Sequence, residues 1–252
     1  MNKTAFIILL WVFAAGIFYL CLQSIDLDQA WNELSKATPS WLFLGVFSNA
    51  CILGAWASLW YLLLPKKLSV PFIRVFQANS FMSTSCNTIP FPGGHAIGVM
   101  ALARRTKVRH TVALSVLALD QLMEGFAKIF VLTLVAIFVP LPELMGQAIL
   151  VFIAAIGFFA SIMFYFAHKK PEAREGQEAV SVTGKVRAFV SRWSAHLEVL
   201  RDIRIFSLGL LLALLMMFTQ TLGIWAVQKS LNLDLPVWAP ILVMGALNLA
   251  TV

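Results

Sequence analysis

The chain has 252 residues, of which 60% are hydrophobic and 12% charged, against about 25% charged in a water-soluble domain. That balance excludes a soluble globular fold, and a net charge of +7 without basic residues interleaved with exposed aromatics argues against a nucleic-acid partner. Cys21, Cys51 and Cys86 show no CxxC pairing, so neither a disulfide framework nor a metal site is supported, and no cofactor is expected.

Apolar runs about one bilayer long cover 5–23, 41–64, 110–139, 144–167, 205–228 and 237–252. They predict an all-α fold: a polytopic helical membrane bundle forming a single transmembrane domain over 1–252. The first run follows Lys3 as a secretory signal would, but no small-x-small site closes it and Asp26 comes next, so an uncleaved helix is expected. Segment 24–40 carries Asp26, Asp28 and Glu33 against Lys36, which suits the outer side. The second run then returns the chain to Lys66, Lys67 and Arg74 on the inner side.

Residues 75–103 break the pattern. The next basic cluster, Arg104, Arg105, Lys107 and Arg109, belongs inside as well, so the intervening segment crosses an even number of times. Two full crossings plus a turn need about 40 residues. A re-entrant hairpin, entering and leaving by one face, is therefore expected. Its tip runs from Asn87 to His95 and contains Pro90, Pro92, Gly93 and Gly94, which cannot continue a helix.

Open backbone at membrane depth survives only where protein or a watery cavity surrounds it. With Pro92 as a first helical residue, the amides of Gly93, Gly94 and His95 form a half-helix N-terminus that favours an anion such as a lipid phosphate. Asn87 and His95 would add side-chain hydrogen bonds there. The other reading is a Pro/Gly loop at the inner surface between two interfacial helices, with no ligand.

On 110–139, Asp120, Glu124 and Lys128 recur at steps of four with Gln121 beside them, and so share one helical face. Each ionisable group at the bilayer centre costs about 2.5–3.5 kcal/mol on insertion scales, so the face is expected to line a polar cavity. Glu124 and Lys128 have the order of an ion pair. Asp120 is left to be protonated or to meet Arg104 or Arg105 across the cavity mouth. An internally neutralised structural cluster is the alternative.

A short Pro140 to Glu143 link leads outside, and 144–167 returns inside to a basic loop, 168–204. Val182, Val186, Phe189, Trp193, Leu197 and Leu200 recur there at steps of three and four, an amphipathic helix that either rests on anionic headgroups or covers the inner face of the bundle. In this arrangement 16 of the 19 basic residues lie inside, which predicts a multi-pass protein of the cell membrane with a cytoplasmic N-terminus. The last run stops at Val252 with no flanking charge, so the fold is expected to continue beyond it.

The paired early spans, the hairpin from Asn87 to Gly94, the Arg104-Arg105 exit and the helix bearing Asp120 resemble the flippase-like transmembrane region of lysylphosphatidylglycerol synthetases. The resemblance runs over nearly the whole chain and is most specific from Asn87 to Arg105. It implies a bundle with re-entrant helices in two inverted halves, of which this chain would be the first part, enclosing a cavity for a charged lipid that is moved between leaflets. Two departures stand out. Many members carry a glutamate after the last glycine and an arginine shortly beyond, where this chain has His95 and, near the arginine's place, Gly98. No second Pro/Gly-rich turn with a glutamate occurs before Val252. No segment outside the membrane is large enough for an aminoacyl-transfer domain, so synthesis of a modified lipid is not expected.

The resulting expectation is a lipid flippase or transporter whose partners are membrane lipids, an anionic phospholipid or a lipid-linked substrate. An intramembrane enzyme using Asp120 or Glu124 with His95 is the alternative, although no H-E-x-x-H, GxSxG or repeated acidic metal motif is present. A non-catalytic subunit bound to a synthase, or a homo-oligomer, is the third possibility.

Overall fold

The computed structural model describes residues 26–89, 93–139, 143–168 and 197–250, with isolated positions before 26. Among these the chain is helical: α1 (Leu27–Ser35), α2 (Pro39–Leu63), α3 (Phe72–Thr88), α4 (Gly93–Thr106), α5 (His110–Phe138), α6 (Glu143–His168), α7 (Ile203–Ser230) and α8 (Ala239–Ala250). Short 3-10 turns at Lys66–Leu68 and Leu197–Arg201 lead into α3 and α7. The expected first span and most of the amphipathic segment 168–204 lie outside the described residues.

Local sequence sets the helix ends. Pro39 opens α2, where its missing N–H costs nothing. Pro65 follows the extended Leu64 and stops that helix. Asp202 caps α7, its carboxylate accepting from the Arg204 backbone N–H at 3.0 Å.

Helices α2 and α7 form the most extensive contact, and they run antiparallel: Gly45 faces Gly223, while Leu59 faces Gly209. Buried Gly45, Ser48, Gly209, Ala213, Gly223 and Ala226 keep this seam narrow, the small-residue packing that helices use when lipid removes the hydrophobic drive to associate. Trp41 closes the seam edge-on against Trp225 at 5.1 Å. Helix α5 packs against α2, α4, α6, α7 and α8 at the centre of the bundle, where Leu119, Leu122 and Met123 are buried.

Helices α3 and α4 form the second close pair, an antiparallel hairpin in which Cys86 opposes Gly94 and Met82 opposes Gly98. At 1.5 Å per residue they are about 25 and 21 Å long, short of the bilayer's hydrocarbon core of about 30 Å. The antiparallel pairs bring the end of α2, the start of α3, the end of α4 and the starts of α5 and α7 to one end of the molecule. Lys67, Arg74, Arg104, Arg105, Lys107, Arg109 and Arg204 therefore share that end.

Large apolar side chains face outward along the bundle, among them Phe43, Val46, Ile137, Val151, Phe158 and Phe218. Exposed apolar surface on this scale needs lipid to cover it. Three helices, Pro39–Leu63, Met145–Ala167 and Ile203–Ser230, are long and apolar enough to cross a membrane. Helix α5 has the length but carries the charged trio. Helix α8 is about 18 Å long over its described residues by the same rise per residue.

Candidate functional site

Asp120 is fully buried on α5, and the indole N–H of Trp56 on α2 donates to both of its carboxylate oxygens, at 3.0 and 3.1 Å. Trp60, one turn further along α2, turns its indole toward the same carboxylate without completing a hydrogen bond. Gln121 lies beside the carboxylate on α5. One turn on, Lys128 Nζ lies 3.5 Å from Glu124 Oε2, each side chain 13% exposed.

The predicted Glu124–Lys128 pair is thus present, and Asp120, Glu124 and Lys128 follow one another along α5. The suggested meeting of Asp120 with Arg104 or Arg105 is not. Both arginines are exposed at the end of α4, and Arg105 donates to Gln77 Oε1 at 2.9 Å within the hairpin. Geometry explains the difference. Asp120 lies three turns into α5 and faces α2, whereas the arginines sit on the last turn of a helix whose buried side is occupied by glycine packing.

Among the described residues, cavities lie apart from the charged face. One of about 430 Å³ lies between α2 and α7, beside Tyr61, Leu62, Ser69, Leu208, Leu211 and Leu212. One of about 260 Å³ lies on the outside of the hairpin.

At the hairpin tip, Pro90 and Pro92 lie outside the described residues. Asn87 is exposed in the last turn of α3, and Gly93 and Gly94 open α4. Gly94 is buried, and a Cβ there would fall 2.6 Å from Cys86 Cα, so this glycine is required for helix contact whatever else it does. His95 Nδ1 lies 3.8 Å from Cys86 Sγ. The tip residues and the trio on α5 are separate groups, on different helices.

Reasoning from sequence missed Trp56, Trp60 and Asn79. Asn79, on α3, is fully buried, and neither its amide oxygen nor its nitrogen has a hydrogen-bond partner. The available signals were the tryptophan pair at a step of four in an apolar span and a lone amide within the short hairpin. Among the described residues, no three His, Cys, Asp or Glu side chains gather as a metal site.

A family model for the lysylphosphatidylglycerol synthase TM region matches residues 5–252. The chain belongs to this family. No curated protein and no solved structure matches it. Membership in the lysylphosphatidylglycerol synthase TM family gives the chain a lipid-related context in the membrane. The charged face of α5 and the glycine-packed hairpin are the features of this family member that its composition alone leaves unexplained.

Proposed function

We propose that the chain is a lipid flippase or lipid transporter, which binds an anionic phospholipid or lipid-linked headgroup within the membrane and moves it between leaflets. The carrying observation is the line of Asp120, Glu124 and Lys128 on a helix of membrane length at the centre of the bundle. Charges kept at that depth against an insertion cost of several kcal/mol are a functional hypothesis by default. In this reading Asp120 is fixed by Trp56, and the partly exposed Glu124–Lys128 pair opens to a headgroup, Lys128 taking the phosphate. Asn87, Gly93, Gly94 and His95 hold the headgroup at one stage of its path, together with Pro90 and Pro92, which lie outside the described residues. The N-terminus and the basic end face the cytoplasm of a cell whose plasma or inner membrane holds the protein.

The test is leaflet-resolved movement of fluorescent phosphatidylglycerol in proteoliposomes. The expected result is movement above that of empty vesicles, lost in Glu124→Gln/Lys128→Met. Movement at the empty-vesicle rate for the intact protein would sink the proposal.

A further inference from the structure

The outside of the α3–α4 hairpin carries a groove of about 260 Å³ lined by Phe81, Ile97, Met100, Ala101, Arg104 and Arg105. Its residues on α4 fall at steps of three and four, so they form one stripe, which borders the Gly94 and Gly98 face that packs on α3 and runs beside Phe81 of that helix. The stripe changes character along its length. Ile97, Met100 and Phe81 form its inner part; about 10 Å further along the helix axis, at 1.5 Å per residue, it ends in two guanidinium groups. Apolar surface at depth and positive charge at the helix end match an acyl chain and an anionic headgroup in size order and in sign.

We infer that this groove docks one anionic phospholipid, its headgroup phosphate on Arg104 and Arg105 and one acyl chain along Met100, Ile97 and Phe81. The arginines are exposed, and among the described residues neither pairs with a carboxylate; Gln77 orients the Arg105 guanidinium without compensating its charge. Arginine suits the role because its planar donors engage two phosphate oxygens together. A soluble phosphate would leave the apolar floor uncovered, which is why the occupant is a lipid. The groove lies apart from the charged face of α5, and its occupation does not require that lipid be moved, so the inference stands independently of the proposed transport.

The experiment places the photo-reactive residue p-benzoylphenylalanine at Met100 of the full chain, in vesicles of equal phosphatidylglycerol and phosphatidylcholine, and identifies the captured lipid by mass spectrometry. About tenfold preference for phosphatidylglycerol is expected, falling to near parity in Arg104→Gln/Arg105→Gln and largely retained in Arg104→Lys/Arg105→Lys. The same probe at Phe158, an exposed position on α6, is expected to capture both lipids equally. Equal capture at Met100, or capture of a second copy of the chain there, would overturn the inference. Because capture is read without transport, its failure and the failure of lipid movement are separate results.

Discussion

The Trp56 indole N–H, shared between the two carboxylate oxygens of Asp120 at 3.0 and 3.1 Å, ties α2 to α5 inside the bundle. A buried acceptor deprived of its donor costs about 1–3 kcal/mol. Trp56→Phe is therefore expected to lower stability by that amount. In Asp120→Asn, which keeps an acceptor for the indole, the loss is smaller. Thermal unfolding in detergent, with the two variants and their combination as a cycle, checks this: a coupling near zero would mean that the contact carries no energy.

The hairpin offers a graded steric test. A methyl group at Gly94 would meet the Cys86 backbone at 2.6 Å, whereas at Gly98 it would meet the Met82 side chain at 2.5 Å. Backbone cannot yield as a thioether does, so Gly94→Ala should cost about 1–3 kcal/mol and Gly98→Ala less. Gly146→Ala and Gly157→Ala, with nothing within 4 Å, are expected to be neutral. Melting temperatures that fail to rank in this order would contradict the tight contact.

Glu124 and Lys128 neutralise each other at 3.5 Å with little access to solvent. Removing one partner strands the other, so Glu124→Gln or Lys128→Met alone should destabilise by about 1–3 kcal/mol, and more than the double replacement does. The proposed transport adds a distinction: the double variant regains stability but not lipid movement. Purified yield and melting temperature report the first effect, and the proteoliposome assay the second.

Asn79 has two unpartnered amide atoms in a fully buried position. Asn79→Leu keeps the branched shape with the same number of side-chain heavy atoms and has no polar group to desolvate, so stability is expected to rise by about 1 kcal/mol. A fall in melting temperature would indicate that the amide is satisfied in the membrane by water or lipid.

The sequence by itself determined the class of the protein, the helices α2, α5, α6 and α7 to within a few residues, and the shared end of the described basic residues from Lys67 to Arg109 with Arg204. These follow from hydropathy, proline positions and charge, which act locally and leave a direct record in residue order. The Glu124–Lys128 pair was legible for the same reason, since a step of four on a helix fixes proximity. Only the tertiary structure decided what Asp120 meets, because its partner lies 64 residues away and an indole donor looks like any other apolar-span tryptophan until two helices cross. It also decided that Gly94 and Gly98 hold α4 against α3. The sequence gives Gly94 a ligand role; the hairpin register gives both glycines a packing role and engages Arg105 with Gln77 of α3, while Arg104 stays exposed, both apart from Asp120.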